Sequence, residues 1–302
     1  MAEARRILVI KHGALGDIVQ ALDGFASLRA GHEGDHLAVL TSPGFAGFLE
    51  EMPFFDAVHI DHRAGPFALR EYIRLRQLFR QGWDRIYDFQ SSRRTIRYFR
   101  YLIPRGVEFV GLPARASHPL PDMTGMNNRD RMLLTARLGG CPDAVASMDW
   151  LKTTAEEPSS KLAVLIPGCS PAKPAKRWPA ERFSALAMKL ADEGYEPALV
   201  GTSLDRAVGD AILAKAPDIK DLIGQTDLRG LAALLSSARL VVGNDTGPVF
   251  LAARLGAPTV MVMSRHTDPA MSAPVGPRAG WIKEEDIRSI KPEDVLEIAR
   301  NL

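Results

Sequence analysis

An α/β chain of two Rossmann-like domains with a cleft between them is the fold class that this sequence predicts, on three observations. Strand-like and helix-like segments alternate from end to end, which is the pattern of parallel sheets covered on both faces. The alternation restarts after a stretch of linker chemistry near the middle of the 302 residues, and that length suits two domains of ordinary size. Glycine-containing turns follow the strands, where open α/β sheets place their ligands. Residues 1–155 and 156–302 are the expected domains. With 46% hydrophobic and 25% charged residues, the chain has the composition of a globular protein without long disorder.

Ile7-Leu8-Val9-Ile10 is a short apolar run and reads as a buried first strand. KHGALGDIVQALDGFASLRA follows, with Ile18, Leu22, Phe25 and Leu28 at helical spacing. Gly13 and Gly16 frame the turn, so Asp17 falls beside the helix start at the carboxyl end of the strand. A carboxylate there serves either as a helix N-terminal charge or as a catalytic group. A dinucleotide-binding reading is weak, because GALGD lacks the third glycine of that fingerprint. The pattern continues as strand 36–40, helix 44–51, strand 57–60, helix 66–80, strand 85–88, helix 93–101 and strand 107–110. A loop over 113–128 contains His118, which reads as a surface residue, and a helix over 129–138 closes the first half. EEPSS at 156–160 is the best linker candidate.

The second half starts over with strand 162–166, helix 179–193, strand 197–200, helix 203–215, a short strand 220–223 and helix 228–237. Leu240-Val241-Val242 is the next strand, and Gly243-Asn244-Asp245-Thr246-Gly247 the turn that caps a helix opening on Pro248. Such a helix start offers N–H groups and the positive end of a dipole to a phosphate, although an ordinary well-capped helix uses the same residues. Strand 258–263, a loop rich in proline and glycine, and helix 292–301 complete the chain.

A net charge of +2 predicts no broad nucleic-acid surface. The basic residues are nevertheless uneven: Arg93, Arg94, Arg97, Arg100 and Arg105 crowd one segment, with Arg70, Arg74, Arg76 and Arg80 upstream. That run is either a solvated helical face or a dock for an anionic acceptor or membrane surface. Cys141 and Cys169 fall in different expected domains, so neither a disulfide framework nor a metal knuckle is indicated and a reducing compartment fits. The four-residue apolar run before Lys11 is too short for a signal sequence or a membrane span, which leads to the expectation of a cytoplasmic protein that could touch a membrane.

IPGCSPAKPAKRWP follows a strand and ends at a helix start. Gly168, Cys169 and Ser170 can present N–H groups and a hydroxyl there, while Lys173, Lys176 and Arg177 carry charge complementary to a diphosphate. The next strand ends in Val200-Gly201-Thr202, and Asp205 just beyond is placed to accept ribose hydroxyls. Together these features describe a nucleotide-diphosphate pocket.

ILVIKHGALGD, PGCSPAKPAKRWPAERF, LVGTSLD and VVGNDTGPVFLAARLGAPTV, in that order, resemble glycosyltransferase family nine, the lipopolysaccharide heptosyltransferases. The resemblance covers nearly the whole chain and implies a GT-B arrangement, with an acceptor-side first domain and a nucleotide-sugar-binding second one. It implies Asp17 as catalytic base, Ser170 and Lys176 as contacts to the donor phosphates, and Asp205 as the ribose-binding acid. Asp245, Thr246 and Gly247 match the element beneath the pyrophosphate. Cys169 and Gly201 join the donor side, Gln225 and Thr226 are positional assignments near the base, and Lys11, Arg93, Arg94 and Arg97 are assigned to the acceptor. Phe250 stands where the family pattern has histidine, and phenylalanine cannot donate a hydrogen bond to phosphate or sugar.

The implied reaction is inverting transfer of heptose from ADP-heptose to a lipopolysaccharide core or related anionic glycan or glycolipid at the cytoplasmic face of the inner membrane. No cofactor beyond the nucleotide-sugar donor is expected, and no essential metal, since no acidic or histidine cluster has ligand spacing. Two other readings stay open: a degenerate relative that binds nucleotide or a partner without turnover, motivated by Phe250, and an NDP-sugar epimerase.

Overall fold

The computed structural model describes residues 3–65, 68–151, 161–170 and 173–302. The chain divides into two compact units, Met1–Trp150 and Leu151–Leu302. The linker candidate at 156–160 lies outside the described residues.

The first unit runs β1 (Arg6–Ile10), α1 (Leu15–Gln20), α2 (Leu22–Gly31), β2 (His36–Thr41), α3 (Ala46–Glu50), β3 (Ala57–Ile60) and α4 (Leu69–Phe79). It continues through β4 (Arg85–Asp88), α5 (Arg93–Tyr101), β5 (Glu108–Gly111), β6 (His118–Pro119) and α6 (Asn128–Leu138). All six strands pair in parallel, in the order β3-β2-β1-β4-β5-β6. β1 is central, and Ile7 to Ile10 are fully buried, as a strand covered on both faces must be. Leu8, Ile10, Ala38, Leu40 and Ile86 meet Leu75, Phe79 and Tyr98 of α4 and α5 in one cluster. On α2, a Cβ at Gly24 would lie 2.7 Å from the Phe89 ring and 3.0 Å from Met132 Cβ, so a side chain there would hold α2 away from α6.

The second unit runs β7 (Leu162–Ile166), α7 (Ala180–Asp192), β8 (Glu196–Leu199), α8 (Arg206–Leu213), β9 (Lys220–Asp221) and α9 (Leu228–Ser237). It ends with β10 (Leu240–Asn244), α10 (Gly247–Leu255), β11 (Thr259–Ser264), α11 (Pro269–Ser272), β12 (Ala279–Glu284) and α12 (Pro292–Ala299). Its parallel order is β12-β11-β10-β7-β8-β9. Counted within each unit, both sheets therefore have the strand order 3-2-1-4-5-6 of a doubly wound fold. Trp178, Phe183, Leu186 and Leu190 pack with Val242, Val260, Val262 and Val295 into the core on one face.

Several expected elements take a different form. The helix expected after β1 breaks at Ala21, whose N–H bonds the Ile18 carbonyl three residues back and tightens the turn. The segment expected as a helix from Ser203 begins as a 3₁₀ turn, Ser203–Asp205, because the Asp205 carboxylate takes the Thr202 N–H at 2.9 Å. β10 runs past Val242 through Gly243 and Asn244, which pair with Met261 and Val262, so the turn is Asp245-Thr246 alone. A Cβ at Gly243 would lie 2.7 Å from Val249 and 2.8 Å from Ile166, and glycine lets α10 close onto the strand. The proline- and glycine-rich stretch after β11 hides β12, which pairs with β11 from Thr259–Ala279 to Ser264–Glu284. His118 is half-buried in the two-residue β6.

Candidate functional site

In each sheet the strand order reverses beside the first strand of the unit, and the crevice beyond those carboxyl ends is where doubly wound folds bind ligands. In the second unit the reversal lies between β7 and β10, so the segments after Ile166 and Asn244 face each other by topology. Asn244 locks them together. Fully buried, it accepts the Trp178 N–H on Oδ1 at 2.9 Å and donates from Nδ2 to the Pro167 carbonyl at 2.8 Å. Asn244→Ala would orphan both buried backbone groups, at about 1–3 kcal/mol for each. Urea unfolding should show that loss as a lower midpoint with an unchanged slope.

The residue after this lock is Asp245. Its carboxylate accepts Lys176 Nζ, from the 3₁₀ turn Pro174–Lys176, and Thr267 Oγ1 at 2.8 Å. The Lys176 and Asp245 side chains are 13% and 10% exposed. This pairing leaves two of the three ammonium donors for another acceptor. Thr246 is the N-cap of α10, Gly247 opens the helix with Pro248 in its first turn, and Gly256 at φ 87° closes it. An α-helix start carries N–H groups without intrahelical partners and partial positive charge. Hence Lys176 is held by the carboxylate of the residue just ahead of the α10 N-cap, and the ammonium and the helix start can offer a seat to an anion such as a diphosphate.

Asp205 follows β8. It accepts the Thr202 N–H and hydroxyl, both at 2.9 Å, and lies 3.9 Å from Arg177 Nη2. A Cβ on Gly168 would lie 2.6 Å from the Asp205 carboxylate and one on Gly201 would lie 3.1 Å from it. Both glycines therefore give this acid room beside the β7 loop. Cys169 is buried and Ser170 exposed in that loop. Gln225 is exposed and turns its amide back to the Asp221 carbonyl at 2.9 Å, while Thr226 is half-buried beside it. Neither is hydrogen-bonded to the Lys176–Asp245 pair among the described residues. Phe250 is 5% exposed, between the fully buried Val249 and Leu251. It sits in the packed part of α10.

In the first unit the reversal lies between β1 and β4. A pocket of about 130 Å³ opens there, lined by Lys11, Asp17, Gln90, Asn128, Arg131 and Thr135 among others. Asp17 is in the first turn of α1 and accepts the Ala14 N–H on Oδ2 at 2.9 Å. Lys11 is buried and donates to the Phe89 carbonyl at 3.3 Å. Burial lowers its pKa, against the pull of Asp17 and Asp88. Asp88, fully buried at the end of β4, is pushed up to about 6 by burial despite hydrogen bonds from the Ser91 and Gln90 N–H groups. The folded state therefore favours the protonated acid. Its stabilising contribution is full below the ordinary carboxylate range and is lost as pH rises through about 6. Asp88→Asn removes that titration, so its stability relative to the native protein should rise across this window, as read by unfolding at a series of pH values.

The residues assigned to the acceptor are not gathered in one place. Lys11 lines the Asp17 pocket, whereas Arg94 and Arg97 line a second one of about 280 Å³ between α4 and α5, and Arg93 is exposed outside both. Arg94 is also structurally committed: its Nε and Nη2 reach Asp61 at 3.0 and 2.7 Å. Asp61, fully buried after β3, accepts further from Tyr98 OH and, at 2.7 Å, the Arg63 N–H; His12 Nε2 lies 2.8 Å away. Burial works to raise the Asp61 pKa, but hydrogen bonds from His12, Arg94 and Tyr98 outweigh it and hold the carboxyl well below its usual range. This network pins the chain just ahead of Asp17 to β3 and α5.

Sequence reasoning missed His12, Asp61, Gln90, Asn128, Arg131 and Thr267. All are ordinary residue types in loops or at helix starts, and only the sheet order brings them to the strand ends. Among the described residues no group of three or more histidine, cysteine or acidic side chains is arranged to hold a metal, and both cysteines are free.

Residues 131–296 match the model of glycosyltransferase family 9 (heptosyltransferase). The chain is 33% identical over 115 residues to lipopolysaccharide heptosyltransferase 2 of Escherichia coli (strain K12), covering 36% of this chain and 33% of that protein. That alignment therefore spans only about a third of the relative. Lipooligosaccharide heptosyltransferase 2 of Haemophilus ducreyi aligns over 319 residues at 24% identity, covering 95% of this chain and 90% of the relative. The solved structure of E. coli ADP-heptose lps heptosyltransferase II is similar in fold, with a TM-score of 0.76 at 22% identity over 98% of each chain. With the family model matched over more than half of its residues, the chain belongs to glycosyltransferase family 9.

Proposed function

We propose that this protein is an inverting glycosyltransferase that moves heptose from ADP-heptose to a lipopolysaccharide core or a related anionic glycan. The observation that supports this most is the junction of Lys176, Asp245 and Thr267 at the start of α10, on the crevice of the second sheet. A nucleoside diphosphate gains negative charge as it departs, and an ammonium and a helix start stabilise that charge without reorganising. Asp205 is the group for ribose hydroxyls. The similar fold of E. coli ADP-heptose lps heptosyltransferase II lends the donor assignment its support.

On the first unit, Asp17 is the carboxylate in a strand-end pocket, and Lys11, Asn128 and Arg131 line it with donors. In the proposed reaction Asp17 takes the proton of the acceptor hydroxyl as its oxygen bonds to the anomeric carbon, and the bond to the diphosphate oxygen breaks on the opposite side. General-base assistance of this kind contributes roughly 10²–10⁴-fold. Arg93 and Arg97, exposed on α5, are proposed to face acidic groups of the acceptor, while Arg94 is held by Asp61.

A second reading, nucleotide binding without turnover, draws on Phe250 at the position where the resemblance implies histidine. Incubation with ADP-heptose and a lipid A–type acceptor separates the two. Acceptor-dependent release of ADP supports transfer, whereas calorimetric ADP binding without release supports the second reading. Sugar conversion without acceptor would point instead to an epimerase.

A further inference from the structure

α4 and α5 carry an unusual surface. Of the ten large apolar or aromatic side chains that are exposed among the described residues, five lie on these two helices: Leu69, Tyr72 and Ile73 on α4, Ile96 and Tyr101 on α5. The same helices expose Arg70, Arg76, Arg93, Arg97 and Arg100. Glu71 is the only acid on either helix, and it is engaged by Arg74 at 2.6 Å. No carboxylate is within ion-pair distance of those five arginines among the described residues. Between the helices runs the second pocket, about 280 Å³, floored by Leu75, Tyr98 and Leu102 with Tyr72 and Tyr101 on its walls.

From this surface we infer that α4 and α5 form a docking face for an anionic lipid bilayer. The charge is of one sign and unneutralised, which suits the phosphates of acidic lipids. Leucine and isoleucine standing among the arginines add apolar area that a hydrocarbon layer buries, and tyrosine rings favour the boundary between headgroup and chain. Arginine stems extend the apolar area while their guanidinium heads reach the phosphate level. A nucleic acid would use the charge but leave Leu69 and Ile73 in water, and so fits less of the surface. The inference does not use the transferase reading, and vesicle binding and nucleotide binding can fail separately.

The test is co-sedimentation of the full chain with vesicles of phosphatidylglycerol and phosphatidylcholine in equal parts, against phosphatidylcholine alone. Partition onto the anionic vesicles only, weakening with added salt, is expected. Arg70→Gln, Arg76→Gln and Arg100→Gln combined should lower the partition coefficient by roughly 100-fold, about five-fold for each arginine. Leu69→Ser with Ile73→Ser should also lower it. Both variants change exposed side chains, and an unchanged thermal midpoint and ADP affinity will show that the units remain folded. Absence of partition onto anionic vesicles, equal partition of native and variant proteins, or retention on RNA without partition onto vesicles would each overturn the inference.

Discussion

Asp17→Asn is expected to lower turnover by roughly 10²-fold or more while leaving the fold and ADP affinity in place. The amide keeps an oxygen for the Ala14 N–H, so the first turn of α1 retains the bond that Asp17 makes there at 2.9 Å. It lacks the lone-pair basicity to take a proton from an attacking hydroxyl. Steady-state kinetics with ADP-heptose and acceptor, beside calorimetric titration of ADP, reads both halves of the expectation. A variant with near-native turnover would remove Asp17 from the base role, and one with weakened ADP binding would show that the substitution had disturbed more than proton transfer.

Lys176→Ala should weaken ADP binding by roughly 2–4 kcal/mol, about 30- to 1000-fold. The loss has two parts. One is the charge-assisted hydrogen bond that the ammonium gives to phosphate. The other arises because Asp245, 10% exposed, would keep its negative charge without the lysine that now faces it, and would repel the diphosphate. Asp245→Asn in the same background should recover part of the loss, since the amide removes that repulsion. An ADP affinity unchanged by Lys176→Ala would mean that the nucleotide binds elsewhere.

The alternation of elements was legible because buried parallel strands such as Ile7–Ile10 and Leu162–Ile166 are apolar without interruption. β12 was not legible: it is an edge strand, half-exposed, and its sequence AGWIKE has neither a continuous apolar run nor a clean alternation. Asn244 read as a turn residue because asparagine usually is one, and only pairing with Val262 shows it to be the last residue of a strand. Asp17, Lys176, Asp205 and Asp245 could be picked out because each follows a recognisable strand. His12 and Asp61 could not, since their contact at 2.8 Å joins residues 49 positions apart and depends on β1 and β3 flanking β2. The arginine run was visible, but whether it served one pocket depended on Arg94 being drawn inward by Asp61.

In both sheets the strand order reverses beside the first strand, and this shared winding has an evolutionary consequence. A crevice set by connectivity survives replacement of nearly every side chain around it, because no particular residue creates it. Under the proposed function, selection would rewrite the loops after β1 and β4 for a new acceptor while the loops after β7 and β10 kept one nucleotide. On that reading, lineages sharing a donor would diversify their glycans by mutating, or recombining, the first 150 residues alone.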